Sequence, residues 1–499
     1  MSDIFTKAKR SEVMSRIAVG IFANLSAREV PDIARFERRL VQYKMKSKFL
    51  PFVLLSAMLT TSQSRAIDAD LGRFITAKQQ QIRDLSGSIT NQVPAVVWSF
   101  FDAVRVDNWE TASNLANRIS SASLRYYTHA TNDAMTPALQ TLIWPPISES
   151  WGAYGEFHGW NNRWLHRFGR EIIQSVPRGS IYFGGTDPGR FVISALSDSQ
   201  VDGKPFFILT QNQLADHTYV DYLRSMFGKK LHIPTTNDLQ QAFQEYLTNV
   251  QARLKHDQAF PDEPRQIKPG ESVAVGKDGR IQVSGLIAVM EINALIAKKI
   301  FDDNPGCEFF VEESFPLDWM YPCLAPHGLI FRLNRRPRAE ISGKDTAEDQ
   351  DYWKKLTDEM LGGWLDEKTS VKEICDFADK YGLGKHLEGY PGDKSFSENE
   401  SARKTFSKLR SSIGGLYAWR AEHTKDADER NRMYRAADLA FRQGYAICPV
   451  SPEAIWRYVN LLSGRQRFDD AILIVKTSLH LDPDNQQLKD LLSQLMKHQ

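Results

Sequence analysis

The stretch that most constrains this chain is residues 180–216. An aromatic-aliphatic run, Ile181-Tyr182-Phe183, meets Gly184-Gly185 and then Thr186-Asp187-Pro188, which reads as a helix start. Asp187 suits the N-cap, where a carboxylate accepts from free backbone N–H groups. Pro188 suits the first helical position, where its missing N–H costs nothing. A second apolar run, Phe206-Phe207-Ile208-Leu209, ends in Thr210-Gln211-Asn212. Strand, glycine turn, capped helix and strand make a βαβ unit. Its loops fall at the carboxyl ends of parallel strands, where open α/β sheets bind ligands. This places a site without naming a reaction.

Around that unit the sequence reads as α/β plus all-α. Residues 67–178 form a helical N-terminal layer, including an αα-hairpin made of 96–104, a short link at 105–108, and 109–119. Pro145-Pro146 is expected to break the helical pattern. An aromatic-rich run follows, from Trp151 through Tyr154, Phe157, Trp160 and Trp164 to Phe168. A sugar-stacking platform is one reading of it; packing between helices and sheet is the preferred one, since large aromatics dominate cores. Residues 179–335 read as the α/β domain. Beyond the opening unit come helices at 217–227 and 239–254, an edge-like segment at 231–234, and a polar hairpin closing at 280–283. An apolar helix at 284–301, a strand at 308–311, a short helix at 317–324 and a strand at 329–333 complete it. Strands alternating with helices imply a mostly parallel, helix-covered sheet. Residues 336–350 are charged and read as a linker, and 351–499 are helical, with a capping box at Ser370-Val371-Lys372-Glu373.

The last segment repeats at a spacing of 34: Ala437 with Ala471, Phe441 with Val475, Gly444 with Ser478, Pro449 with Pro483. Small, bulky, small and proline at that period are positions of a tetratricopeptide repeat, with copies at about 418–451 and 452–485. Two copies rarely stand alone, so the helices before them are expected to cap the stack.

Targeting signals sit inside the chain. Lys44-Met45-Lys46-Ser47-Lys48 is basic, residues 49–59 are nearly all apolar, and Ser64-Arg65-Ala66 supplies small residues for cleavage. That order is a secretory signal peptide over 45–66, too short to span a bilayer, with residues 1–44 a spurious extension. Residues 1–17 alone resemble the opening of very-short-patch mismatch-repair endonucleases. That family's downstream motif does not follow, and no nuclease function is carried over. The net charge of +2, with no basic block, argues against nucleic acid as a partner. Cys307, Cys323, Cys375 and Cys448 form no CxxC pair, and His158, His166, His217 and His327 lack metal-ligand spacing, so no metal or cofactor is expected.

Several longer runs carry a second resemblance. They are Ile181-Tyr182-Phe183-Gly184-Gly185-Thr186-Asp187-Pro188-Gly189-Arg190, Leu209-Thr210-Gln211-Asn212, residues 309–332, and residues 408–420. Together, residues from about 151 onward resemble the soluble carboxyl-terminal half of a bacterial family of polytopic membrane proteins. That family is related to protein O-mannosyltransferases and often ends in tetratricopeptide repeats. In it, glycosyl transfer is expected in the membrane half, and no spanning helix follows Leu59 here. The resemblance therefore implies an exported relative of the accessory region.

The candidate ligand-binding residues are Gly184, Gly185, Thr186, Asp187, Arg190, Asn212, Asp216 and Glu312. Backbone N–H groups at a helix N-terminus, with Arg190 in the first turn, can hold a phosphate or carboxylate. Asp187 opposes an anion and suits sugar hydroxyls instead. The other reading is structural: Asp187 caps, the glycines allow close packing, and Asn212 and Asp216 make turns and caps. Glu312-Glu313 can join Asp187 in an acidic cluster. No GxSxG, HExxH, Walker A or GxGxxG pattern is present, so no catalytic residue is named.

These readings lead to an exported envelope protein, at the periplasm or cell surface, that binds a protein or peptide partner through its repeats. The alternative is a glycan-active enzyme or glycosyltransferase subunit with its site in the α/β crevice, taking a glycan or an anionic small molecule. Export is directly testable: residues 45–66 fused to a reporter should drive secretion and be cleaved after Ala66. An unprocessed cytoplasmic product would remove the envelope argument.

Overall fold

A computed structural model describes residues 67–87, 93–125, 137–197, 203–268, 270–276, 281–312 and 317–497. The expected leader at 1–66, with its signal peptide, lies outside them. The chain forms two compact units, one ending at Gly155 and the other running from Glu156 to the C-terminus. No division separates the sheet from the helical tail.

The smaller unit holds helices α1 (Ala69–Ser86), α2 (Ala95–Arg105) and α3 (Trp109–Arg125), and most of α4 (Pro137–Gly159). Helices α2 and α3 are the expected αα-hairpin. Asp107 in its link takes a left-handed φ of 51° and accepts from Tyr154 Oη at 3.0 Å. Trp109 stacks on Trp151 with centroids 5.1 Å apart. Pro145 and Pro146 do not break α4, which runs through both. Leu139, Ile143, Ile147 and Tyr154 are all buried on it. This continuous apolar stripe at helical spacing overrides the local cost of the prolines.

The larger unit carries a five-stranded sheet in the order β2-β1-β5-β7-β6. Its strands are β1 (Ile181–Gly184), β2 (Phe207–Thr210), β5 (Phe309–Val311), β6 (Leu324–His327) and β7 (Ile330–Leu333); β3 (Ser272–Val275) and β4 (Ile281–Ser284) form a separate antiparallel hairpin. Helix α5 (Asn162–Ser175) leads into β1, α6 (Asp187–Leu196) links β1 to β2, and α7 (His217–Phe227), α8 (Thr236–Ala259) and α9 (Leu286–Asp303) follow.

The sheet is mixed rather than mostly parallel. β1 pairs in parallel with β2 and β5, but β5 pairs antiparallel with β7, and β7 with β6. The cause is local. The expected helix at 317–324 is a 3-10 turn, Tyr321–Cys323, that leads straight into β6. His327 then pairs with Ile330 across a two-residue loop whose Gly328 has φ 59°. A glycine at the first position of a two-residue loop closes a tight hairpin, so the chain returns beside itself without a crossover helix. The edge-like segment at 231–234 forms no strand.

The remaining elements are helical, as expected: α10 (Gly343–Leu361), α11 (Val371–Tyr381), a single turn α12 (Lys394–Ser397), α13 (Glu400–His423), α14 (Ala427–Ile447), α15 (Pro452–Gly464), α16 (Phe468–Leu481) and α17 (Gln486–Leu495). Helix α10 starts inside the stretch read as a linker, because Ser342 and Asp345 form a capping box. Trp160, Trp164 and Phe168 of the aromatic run are core. Trp164 packs on Phe396 at 4.7 Å, and Trp160 lies 5.6 Å from Phe168.

Helices α13 and α14 are enclosed yet polar. Arg410 is 0% exposed; it donates from Nε to Gln443 at 2.7 Å and from Nη1 to Asp349 at 2.8 Å. Tyr417 Oη donates to the same Asp349 oxygen at 2.9 Å. The guanidinium lies over the Trp353 ring at 5.1 Å. One salt bridge thus ties α10 to the α13–α14 pair from inside. Arg410→Met should lower stability by ~3–5 kcal/mol in urea denaturation, because Asp349 would be left buried and unpaired. Adding Asp349→Leu should restore most of that loss. A double variant as unstable as the single one would show that packing, not the charge, sets the cost.

Candidate functional site

The crevice at the carboxyl ends of β1 and β5 is built from the 184–190 loop and from Glu312, the residue after β5. Strand β1 has β2 on one side, reached through α6, and β5 on the other. The chain therefore changes direction at β1, which is where open sheets place their ligand crevice. Glu312 is 0% exposed and occupies this point. Its Oε2 accepts from the backbone N–H of Gly185 at 3.0 Å and of Thr186 at 2.9 Å, and its Oε1 accepts from the Thr186 hydroxyl. The amides that a phosphate would use are thus engaged by a carboxylate of the chain itself.

The local caps follow from that arrangement. Thr186, not Asp187, is the N-cap of α6, its Oγ1 accepting from Gly189 N at 3.0 Å. Asp187 is the first helical residue, and Pro188 follows it. The hydroxyl serves two partners at once, donating to Glu312 and accepting from the helix. A carboxylate at 187 is then free to pair with Arg190, whose Nη2 lies 2.6 Å away. The Arg190 guanidinium also lies 4.2 Å from the Phe191 ring centroid. Tyr182 Oη donates to Gly189 O at 2.9 Å. Gly189 is obligatory by space: a Cβ there would stand 1.6 Å from Glu312 Oε2.

Electrostatics adds one group absent from the sequence candidates, Glu156. Burial and the neighbouring Asp187 charge push the Glu156 carboxyl up to about 8, against the pull of Trp160 and Arg190. Trp160 Nε1 donates to Glu156 at 2.9 Å, an i,i+4 pair readable in the sequence, although its position beside Asp187 is not. Burial also raises Glu312, against the pull of its Thr186 and Gly185 donors and of Lys408. Lys408, on α13, pairs with Glu453 of α15 at 2.9 Å. Burial opposes ionisation of Glu453, but Lys408 and Arg457 outweigh it and hold that carboxyl well below its ordinary range.

The structure thus brings Gly184, Gly185, Thr186, Asp187, Arg190 and Glu312 together. It does not bring in Asn212 or Asp216. The Asn212 carbonyl accepts from Asn293 on α9 at 3.2 Å, while Asn293 Oδ1 accepts from Ala215 N at 2.6 Å. Asp216 is exposed and caps α7, accepting from Thr218 N at 2.9 Å. Both do turn and cap work because β2 ends in a 3-10 turn held under α9. Glu313 lies outside the described residues. A cavity of about 290 Å³ between α8 and α9 is lined by none of these side chains. Glu156 keeps its proton close to the charge of Asp187, which is paired with Arg190, and the backbone amides of the loop are closed to an external anion.

Two outcomes follow. Glycine to alanine inside a helix ordinarily stabilises by ~1 kcal/mol, yet Gly189→Ala should destabilise by ~1–3 kcal/mol because Glu312 must move. Denaturation showing a gain would contradict this packing. For Glu156, the native carboxyl keeps its proton up to about 8 and the unfolded one up to about 4.5. The native state binds more protons in that window, so this group's contribution is full below 4.5 and falls as pH rises towards 8. Glu156→Gln should therefore raise the melting temperature above pH 8 and leave it nearly unchanged at ~pH 3.5, below the unfolded value. A shift of equal size at both would refute the assignment.

No protein-family model matches the chain, and neither does any curated protein or solved structure.

Proposed function

We propose that the chain is an exported cell-envelope binding protein that docks a protein or peptide partner through tetratricopeptide-type hairpins at its C-terminal end. The supporting observation is the parallel burial of the matched positions. Ala437, Phe441 and Gly444 are buried on α14, and Ala471, Val475 and Ser478 are buried on α16. A proline follows each helix. Small residues at these places let successive helices approach, and the stack is completed by α17, which buries Leu488, Leu491 and Leu495. Since the second half of α14 is enclosed on all sides, the partner face falls on α15–α17, where Asn460, Lys476 and Lys489 are exposed. No helix among the described residues is long and apolar enough to cross a membrane.

A photo-crosslinking residue at Asn460, Lys476 or Lys489, in producing cells, is expected to give one discrete adduct. The same residue at Gln241 on α8 should not. Identical adducts at both places, or none at the tail, would count against docking there.

One observation favours a second reading, a glycan-active enzyme or transferase subunit. Burial pushes the Glu156 carboxyl up to about 8 near Asp187, and one raised carboxyl close to a second acid is a pattern shared with acid–base chemistry on glycosidic bonds. Turnover of an envelope glycan that is lost in Glu156→Gln, with folding intact, would establish it over the binding reading.

A further inference from the structure

Two buried side chains at the carboxyl edge of the sheet lack the partners that burial demands. Arg190 is 9% exposed, and its Nε has no hydrogen-bond partner among the described residues. Its guanidinium makes one hydrogen bond there, from Nη2 to Asp187 Oδ1 at 2.6 Å. Gln211 is 1% exposed, and its buried Oε1 has no partner among the described residues. A polar group removed from water and left unpaired costs free energy, so each of these calls for a physical cause. Both belong to one edge. Gly184 pairs with Thr210 where β1 and β2 end, so Gly185 and Gln211 are the next residues along adjacent strands. On the β1 side, a Cβ on Gly184 would stand 3.2 Å from the Cα of Arg190.

The charges at this edge cancel. Asp187 neutralises Arg190, Glu156 keeps its proton up to about 8, and Glu312 is engaged by the loop itself. An anion would be opposed by Asp187, and a cation would find that carboxylate already paired. An apolar molecule would leave the orphaned groups unanswered. What remains to be satisfied is of both kinds: N–H donors on the guanidinium, and acceptors at Gln211 Oε1 and at Asp187 Oδ2, since only Oδ1 serves Arg190. Turning the Gln211 amide over exchanges its free acceptor for a free donor and leaves it equally unpaired. An uncharged group that both donates and accepts is a hydroxyl, and several on one small body meet all these demands. We propose that this crevice holds a neutral saccharide, with hydroxyls accepting from Arg190 and donating to Gln211 Oε1 and to Asp187. The loop amides are taken by Glu312, so side chains hold the sugar. This names the ligand for the glycan reading of the same crevice and rests on that reading, with Gln211 as a new specificity residue.

The test is calorimetric titration of the full chain with two neutral disaccharides, maltose and N,N′-diacetylchitobiose, and with their charged counterparts, maltobionate and chitobiose. A neutral sugar should bind, its charged counterpart should bind at least about tenfold more weakly, and added salt should leave the neutral affinity unchanged. Gln211→Met is close in shape and apolar. It should cut affinity about tenfold while the melting temperature of the sugar-free chain holds or rises, because the amide it replaces has no partner to lose. Arg190→Lys keeps a charge for Asp187 but not the planar fork, and should weaken binding as well. No binding of either neutral disaccharide, tighter binding of a charged counterpart, an unchanged affinity in Gln211→Met, or a marked fall in its melting temperature would overturn the proposal. Sugar binding without turnover would support it while removing catalysis from the crevice. Turnover that Gln211→Met leaves intact, in affinity and in rate, would overturn it while leaving the enzyme reading in place.

Discussion

The contact on which the larger unit depends is the carboxylate of Glu312 against the amides of Gly185 and Thr186. β1 and β5 pair over only three residues, Ile181 with Phe309 to Phe183 with Val311. Glu312 extends that pairing past the end of the ladder, because its side chain takes up the backbone donors that would otherwise be left open at the start of α6. The same carboxylate sets the residue at three neighbouring positions. Thr186 must carry a hydroxyl, Gly189 must lack a side chain, and Asp187 is released from capping to pair with Arg190. A buried acid is costly, and burial raises this one; three donors and the field of Lys408 offset that cost. Because Lys408 belongs to α13, the crevice and the helical tail share one electrostatic arrangement.

A comparable device lies inside the tail. Arg410, Asp349, Tyr417 and Gln443 form a buried polar cluster where a helical stack ordinarily has aliphatic packing. The geometry is strongly directional: the guanidinium bridges α10 and α14 while lying over Trp353. Aliphatic side chains could fill the same volume in several ways, but this arrangement admits one register of α10 along α13. Both devices place charge at a junction between elements. The tail is therefore joined to the sheet within one compact unit rather than appended to it.

Local chemistry made part of this legible from the residues. The βαβ unit showed because a strand run, two glycines and a capping cluster fall in order, and the box at Ser370–Glu373 announced its helix. The strand at 329–333 is legible, but its antiparallel partner β6 is not, although the signal for their hairpin is present. Gly328 between two apolar runs is a hairpin signal, but the apolar content of 317–324 read as helix and hid it. The candidate site was half legible. The loop can be found from its own sequence, but its occupant is 127 residues away. Nothing local to Glu312 says that it will face Gly185 rather than solvent. Glu156 was missed for the same reason, since its raised proton affinity comes from burial and from a charge brought near only by folding. Asn212 and Asp216 show the converse: adjacency to a strand end points to the crevice, while α9 and the cap of α7 claim them.

The central claim is that Glu312 closes the crevice from within. Hydrogen exchange of the peptide spanning residues 184–190, followed by mass spectrometry in the full chain and in Glu312→Ala, tests it most directly. The account predicts protection in the native chain comparable to that of β1. In the variant, exchange of this peptide should speed up by about tenfold or more while α16 stays protected. Fast exchange of the loop in the native chain, or an unchanged rate in Glu312→Ala, would contradict it.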